Sequence, residues 1–458
     1  MTKNATNGYL VEARVVDGTG APPIEDGAVV TAGDRIAWVG KRDEVPEKYR
    51  HPEVEVISLL DRSVVPGLVD AHIHISFGEA TSEEENALYT PVEYRSILAG
   101  WNARRVLQAG VTSAFDAAST YNISVAVRDA IEAGLIEGPR LASAGQQLTS
   151  HQGLEDAFPS WMEFPVGQAG VLVKSRDDIL EAVRLQVKNR VDVIKVSGSN
   201  DSAVTEDSLE GMAFRQEEFD LIADETHRLG RKCTVHARTA DSVKACARAG
   251  FDWLQHASYI DDEGLEIVLE KNIPISPVMT LLVNIISSAE EAGRAGASSV
   301  DVFKQELDAA ATNLTRAYQS GVTMVAGSES GWSLVPYGQW HAKEMEIFVE
   351  FLGMSPVEAL HAGTGAAALT LPRWSTEIGT LEVGKRADLI LLPGNVATDI
   401  TLLQHKSRFD MVMKDGKPID ITTPIPERSV YSWERTKILL PGLFNFDEEA
   451  GKGHIVPK

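Results

Sequence analysis

From residue 67 to residue 327, short apolar runs alternate with longer stretches in which apolar residues return every three to four positions. The short runs lie at 68–75, 111–116, 140–144, 193–197, 232–237, 253–257, 273–278 and 322–327. Each has the length of a strand. The stretches between them, among them 91–109, 177–190, 216–229, 240–249 and 301–320, carry helical periodicity. Gly110, Gly230, Gly250 and Gly321 stand shortly before four of the runs, where glycine can end a helix. Strands alternating with helices predict a parallel sheet, and eight of them predict a (β/α)8 barrel. A doubly wound open sheet is the alternative. No Gly-x-Gly-x-x-Gly follows the first run, which counts against a dinucleotide-binding version.

The two ends of the chain read differently. Residues 9–16, 27–39 and 54–65 are strand-like, with turn signals at Asp17-Gly18-Thr19-Gly20 and Gly33-Asp34-Arg35. Similar signals return at 378–383, 387–393 and 409–414, with turns at Val383-Gly384-Lys385 and Lys414-Asp415-Gly416-Lys417. One discontinuous β domain built from both ends is expected. The predicted division is a β-sandwich from 1–66 and 373–430, a distorted TIM-type barrel over 67–372, and a C-terminal extension, 431–458, that lacks periodicity.

Composition narrows the function. The 43 basic and 66 acidic side chains leave a net charge of −23. A field of that sign repels phosphate backbones, which excludes nucleic acid as an expected partner, and an anionic substrate would need its own cationic clamp. Cys233 and Cys246 are too few for a disulfide framework and read as free core thiols of a reducing compartment. The N-terminus has no apolar signal region, and no apolar run approaches the roughly 18 residues of a membrane span. A soluble cytoplasmic protein is expected, assembled as a homo-oligomer and acting on a small molecule.

The residues suited to chemistry fall at matching places. The first barrel run ends in His72-Ile73-His74, and residues two apart on a strand point the same way. Lys195 closes the fourth run, His236 the fifth and His256 the sixth, while Glu329 follows the eighth. Each has a bland reading alone: a hydrogen-bonded core histidine, a lysine reaching outwards, a helix cap. Together they put four imidazoles, an amine and a carboxylate at the C-terminal end of one barrel, where barrel enzymes keep their sites. Imidazole and carboxylate suit zinc, cobalt, manganese or iron, and such a cluster can hold one or two ions.

The run Val64-Val-Pro-Gly-Leu-Val-Asp-Ala-His-Ile-His74 resembles the signature of the amidohydrolase superfamily. Ile378-Gly-Thr-Leu-Glu-Val-Gly-Lys-Arg-Ala-Asp-Leu-Ile-Leu-Leu392 is similar to the same family's C-terminal signature, and the likeness runs from about residue 9 to about residue 400. It is nearest to the imidazolonepropionase-like and prolidase-like branch, which includes hydrolases of N-acyl amino acids, carbamates and phenylureas. The resemblance implies that His72 and His74 bind a more buried metal and His236 and His256 a second, with zinc the first expectation. Lys195 would bridge the two as an N6-carboxylated lysine, because a carbamate is an anionic oxygen ligand where an ammonium would be repelled.

One departure is visible: the family's Gly-Thr-Asp after strand eight is Gly327-Ser328-Glu329 here. Glu329 is expected as ligand or base, with Asp252 and Asp261 as weaker substitutes. His151 resembles a family histidine that polarises the scissile carbonyl. Tyr259 is a candidate donor to a substrate oxygen or a packing residue, and Arg238 a candidate carboxylate clamp or the partner of an acidic neighbour. The implied activity is metal-assisted hydrolysis of an amide, carbamoyl or urea-type carbon–nitrogen bond other than a peptide bond. An Xaa-dipeptidase or N-acyl amino acid hydrolase is the runner-up, ahead of a deaminase (which usually lacks the bridging lysine) and a non-catalytic relative. The strand-to-helix loops 75–92, 146–175 and 280–300 have no readable chemistry. Phe158, Trp161 and Phe164 in the second of them favour an apolar or aromatic substrate.

Overall fold

A computed structural model describes residues 8–200, 211–291, 298–434 and 443–456. The chain opens with strands β1 (Gly8–Val15), β2 (Ile24–Ala32), β3 (Arg35–Lys41) and β4 (Val54–Pro66). These join three strands from the other end, β14 (Leu389–Pro393), β15 (Met411–Lys414) and β16 (Lys417–Pro418), in one seven-stranded sheet of order β16-β15-β14-β4-β1-β2-β3. Both chain ends therefore contribute strands to one sheet. The sheet curls until its β3 edge meets the segment before β14: Ile36 N donates to Lys385 O at 2.9 Å and Ala387 N to Asp34 O at 2.9 Å. The stretch expected as one strand over 27–39 is β2 and β3 joined by a turn at Gly33-Asp34, and 378–383 is irregular chain.

Parallel pairing fills the middle. A three-stranded sheet joins β5 (Leu68–Ile73), β6 (Val111–Asp116) and β7 (Arg140–Ser143). A six-stranded sheet runs β13-β12-β11-β10-β8-β9, from β8 (Gln147–Thr149), β9 (Gly170–Leu172), β10 (Val193–Ser197), β11 (Lys232–Ala237), β12 (Trp253–His256) and β13 (Ile275–Ser276). Backbone bonds of 2.8–2.9 Å from Asp192 N to Ser143 O, Val325 N to Ile275 O and Ala71 N to Ala326 O link the sheets to each other and to residues 322–326. Strands β5, β6 and β10 are buried along their whole length, which is why they read as continuous apolar runs rather than alternating ones.

Helices α1 (Val92–Gln108), α2 (Ile123–Glu132), α3 (Arg176–Lys188), α4 (Gln216–Arg228), α5 (Ala240–Ala249) and α6 (Asp262–Lys271) pack beside these strands, α1 against α2 and α3 to α6 each against the next. Their ends follow local chemistry. Helix α5 starts where the Thr239 hydroxyl accepts from Ser242 N, and it ends at Gly250, whose φ of +86° suits glycine. Residues 280–300, expected as a loop, include helix α7 (Thr280–Glu291), ahead of α8 (Ser298–Gln319), α9 (Lys343–Leu352) and α10 (Pro356–Ala362). The extension also has structure: β17 (Leu443–Asp447) and β18 (Lys452–Val456) form a hairpin whose Phe444 stacks on Trp340. Among the described residues no helix is long and apolar enough to cross a membrane. Cys233 on β11 and Cys246 on α5 are buried free thiols.

The parallel sheets and the curled sheet are joined by a buried ion network. Arg140, on β7, pairs with Asp388 and Asp415, and Asp388 Oδ1 also accepts from Asp415 N at 2.8 Å. Burial opposes the guanidinium charge, and the two carboxylates outweigh it. Removing one partner of such a pair strands the others without compensation. Arg140→Ala is therefore expected to lose about 3–5 kcal/mol of unfolding free energy in urea titration. A loss below about 1 kcal/mol would mean that the network contributes only what a surface pair does.

Candidate metal centre

The site begins with the close approach of residues 326–331 to β5. Ala71 N donates to Ala326 O, Glu329 N to His72 O at 2.9 Å, and His74 N to Ser330 O at 2.8 Å. The contact leaves no room for a side chain at Gly327, where a Cβ would lie 2.7 Å from the Cβ of His72. Asp70, buried beneath, ties the two segments together. Its Oδ1 accepts from the backbone N–H of His72 at 3.1 Å and of Ser328 at 3.0 Å. Its Oδ2 takes a 2.7 Å bond from His341 Nδ1, which carries the proton because His341 Nε2 accepts from Gly338 N.

This stitching aims three ligand atoms at one point. His72 Nδ1 is held by Gln255 Oε1 and His74 Nδ1 by the carbonyl of Ala118, both at 2.9 Å. Both acceptors favour the proton on Nδ1, which leaves the Nε2 lone pairs facing each other at 3.1 Å. Glu329 reaches between them, with Oε1 2.9 Å from His74 Nε2 and Oε2 3.4 Å from His72 Nε2. It does so from a left-handed backbone with φ of +60°, and His256 is likewise left-handed at +68°. Strain of this kind persists where surrounding structure enforces it.

The other expected ligands close around this triad. The His256 ring lies 5.5 Å from that of His72 and 4.4 Å from that of His236, and His256 Nδ1 is buried with no hydrogen-bond partner. Lys195 is buried and makes no ion pair with the described residues. Burial governs the protonation states. It lowers His72 to about 4 and drives His236 and His256 well below the usual range, leaving neutral imidazoles fit to bind a cation. It also lowers Lys195 to about 8, against the opposing pull of Glu329 and Glu155. Burial would raise Glu329, but His72 and His74 outweigh it and hold the carboxylate well below its usual range. His74 shows the other side of that contact: Glu329 raises it despite burial. The donor set, the aligned lone pairs and the orphaned His256 nitrogen fit one or two divalent cations.

His72, His74, Lys195, His236 and Glu329 line one cavity of about 210 Å³. Its remaining wall is largely apolar: Phe77, Leu154, Leu281, Ile285, Trp332 and Leu334. Leu281 and Ile285 sit one turn apart on α7, so the helix missed in the sequence supplies one face of the cavity. The aromatic surface therefore comes from Phe77 and Trp332 rather than from Phe158, Trp161 and Phe164. None of those three lines the cavity, and Trp161 is 84% exposed.

Three expected residues stand outside the cavity. His151 has a 65% exposed side chain and pairs with Asp156 at 3.1 Å, which is not the place of a group polarising a scissile carbonyl. Arg238 is buried against Glu306 at 2.5 Å, and Ser258 donates to the same carboxylate oxygen, so its charge is already matched. Tyr259 is half-buried beside it, its backbone N–H on Arg238 O. The two substitutes for Glu329 are also elsewhere: Asp252 pairs with His227 and Lys232, and Asp261 caps α6 and meets Lys244.

The cavity adds a residue that pattern reading missed. Glu155 is buried on its wall, with Oε1 held by Gln147 and Oε2 without a hydrogen-bond partner, and burial raises its pKa. Nothing in the local sequence marks it out. Gln255 and Asp70 had a signal, since each lies within two residues of an expected ligand.

Residues 63–419 match the amidohydrolase family. Over 419 residues the chain is 30% identical to ochratoxinase of Aspergillus niger, covering 86% of this chain and 83% of that protein. The A. niger ochratoxinase crystal structure superposes with a TM-score of 0.80 over 91% of this chain and 96% of that one, at 26% identity. An imidazolonepropionase of Streptomyces griseus is 26% identical over 82% of this chain and 88% of its own length. A Xaa-Pro dipeptidase crystallised with methionine in its active site has a TM-score of 0.78 at 25% identity, over 90% and 99% of the two chains.

Because the site depends on the approach at Gly327, Gly327→Ala is expected to displace His72 and lower metal content while the fold survives. Metal analysis alongside circular dichroism checks this. Full metal occupancy with an unchanged spectrum would mean that β5 and residues 326–331 separate at no cost to the site.

Proposed function

The chain belongs to the amidohydrolase family, hydrolases of carbon–nitrogen bonds, and from that premise we propose that it cleaves an amide, carbamoyl or urea-type bond of a small apolar or aromatic molecule. The observation that carries this reading is the cavity itself, in which five ligand-type side chains meet a largely apolar wall. In the reading we favour, the eight parallel segments form a closed, distorted barrel over 67–372. The curled sheet, 1–66 with 373–430, is its β-sandwich companion. The hydrogen bonds from Asp192 to Ser143, Val325 to Ile275 and Ala71 to Ala326 support closure. The two buried thiols support a reducing, cytoplasmic compartment.

His72 and His74 would hold one ion and His236 and His256 a second, zinc being the first choice, with Lys195 between them as the carboxylated bridge. Bound there, such ions lower the pKa of a water ligand towards neutrality and polarise the scissile carbonyl. The buried amine of Lys195, lowered to about 8, supports the bridge, since the neutral amine is the form that adds carbon dioxide. Glu329 takes a proton from the attacking water on its carboxylate and passes it to the leaving nitrogen. Gln255 and the Ala118 carbonyl hold the imidazoles of His72 and His74 that frame this transfer, and Asp70 holds the His72 backbone N–H.

A panel of carbamates, aryl ureas, N-acyl aromatic amines, N-acyl amino acids and dipeptides tests the substrate class. Turnover confined to dipeptides would replace the reading with the dipeptidase one, which the likeness to a Xaa-Pro dipeptidase keeps in the panel. On a substrate so found, Glu329→Gln is expected to cost on the order of 10²–10⁴ in turnover, the usual worth of a general acid–base group. Glu329→Asp, which keeps the basicity, should retain metal and measurable activity. If Gln turned over like wild type, the base would lie elsewhere.

Lys195→Ala is expected to lose activity and recover part of it when a short carboxylate such as acetate or propionate is added to fill the bridging position. An Ala variant with two bound ions and normal turnover would remove the carboxylated lysine.

A further inference from the structure

A second cluster of metal-ligating side chains lies at the opposite end of β11. Cys233 is the second residue of that strand, three before His236, and at about 3.3 Å per residue the two are roughly 10 Å apart along it. Its thiol is buried. His227, from the last turn of α4, places Nε2 3.8 Å from Cys233 Sγ and 2.9 Å from Asp252 Oδ2. Asp252 precedes β12 and is fixed by the backbone N–H of Cys233, which donates to Oδ2 at 2.8 Å, and by Lys232 Nζ, 2.5 Å from Oδ1. One ligand atom from each of the three residues falls within 4.8 Å of the others.

We infer that His227, Cys233 and Asp252 form a binding site for a single thiophilic divalent cation of the zinc class, separate from the catalytic cavity. The chemistry of the donors favours zinc, which takes thiolate, imidazole and carboxylate together in tetrahedral geometry. Bond lengths of about 2.3 Å to sulfur and about 2.0–2.2 Å to nitrogen and oxygen place tetrahedral neighbours about 3.6 Å apart for sulfur and nitrogen, and about 3.4 Å apart for nitrogen and oxygen. The sulfur–nitrogen distance already nearly matches. The histidine and carboxylate need to part by about half an ångström as their hydrogen bond gives way to the ion.

Access and charge are compatible with this. The side chain of His227 is 41% exposed, so an ion arrives from solvent along the imidazole while the thiol stays inside. Lys232 neutralises Oδ1, while Oδ2 keeps its bond from Cys233 N and turns to the cation the lone pair that now meets His227. On binding, the Cys233 thiol releases its proton to solvent and the fourth position takes water. The ion would clip the end of α4 to the starts of β11 and β12, at the face of the sheet away from the cavity.

Neither of the chain's two cysteines lines the catalytic cavity, so a thiolate signal does not come from there. The metal-free protein is titrated with cobalt(II), and the near-ultraviolet thiolate-to-cobalt charge-transfer band is followed. Wild type is expected to develop the band and bind one more equivalent of cobalt than Cys233→Ser. Cys246→Ser, which changes the other thiol of the chain, should keep the band. His227→Gln should weaken loading by more than ~10-fold, a loss that even removal of an outer partner causes. No band in wild type with cobalt in excess would overturn the assignment, and so would the same band in Cys233→Ser.

Discussion

The centre rests on how closely residues 326–331 run beside β5. Backbone hydrogen bonds alternate between the two segments, and the missing side chain at Gly327 lets the backbone approach the base of His72. That approach carries Glu329 in front of two imidazoles which are themselves pinned through Nδ1. The left-handed backbone of Glu329 belongs to the same arrangement, for the chain must turn sharply after running alongside the strand. Asp70 braces both segments from below, and His341 holds Asp70 in turn. Loosening any of these contacts would alter the distances among the three ligand atoms, so the ligands and the residues behind them act as one unit.

Burial shapes the electrostatics as much as charge does. The chain carries a net −23, yet the cavity floor is mostly neutral imidazole, with His74 raised by Glu329, a weakened amine and one carboxylate kept ionised by its neighbours. Dry, neutral nitrogen donors and one anion suit a cation that brings its own positive charge. The same burial that makes an empty cluster costly is what makes a filled one tight, because each ligand gains more from an ion than from the water it has lost.

The architecture was legible wherever burial imposed a period. Strands covered on both faces stood out as apolar runs, and helices α4 and α5 were read almost to the residue because glycines follow them. The six candidate ligands stand out for a related reason: a strand running toward the site delivers its last side chains, or those just after it, there. Loop residues obey no such rule. His151 and Trp161 belong to the stretch between β8 and β9, where nothing in the pattern tells an inward side chain from an outward one, and both face solvent. Glu155 in the same stretch faces inwards for reasons of loop path alone. Of the two roles open to Arg238, the clamp and the partner to an acidic residue, the second holds, and the partner itself is hidden in the sequence because Glu306 is 68 residues away on α8. Residues 431–458 looked structureless because a lone hairpin leaning on Trp340 has too few apolar positions to establish a period.

The fate of Arg238 bears on what the cavity can hold. With that guanidinium committed to Glu306, no arginine lines the cavity among the described residues, and Lys195 is the one lysine among them on its wall. The carboxylates on that wall are Glu83, Glu155 and Glu329. Among the described residues, a substrate carboxylate would be matched only at ions bound in the site, in competition with the carbonyl that the proposed mechanism polarises there. Further along the wall it would meet Glu155 or Glu83 and the apolar faces of Phe77 and Trp332, where an unpaired charge is costly to desolvate. A neutral molecule with an apolar body and a donor group turned towards Glu155 meets none of these penalties. Among the described residues the cavity wall thus supports, within the proposed function, uncharged amides, carbamates or ureas over N-acyl amino acids and peptides, on grounds separate from the family's range.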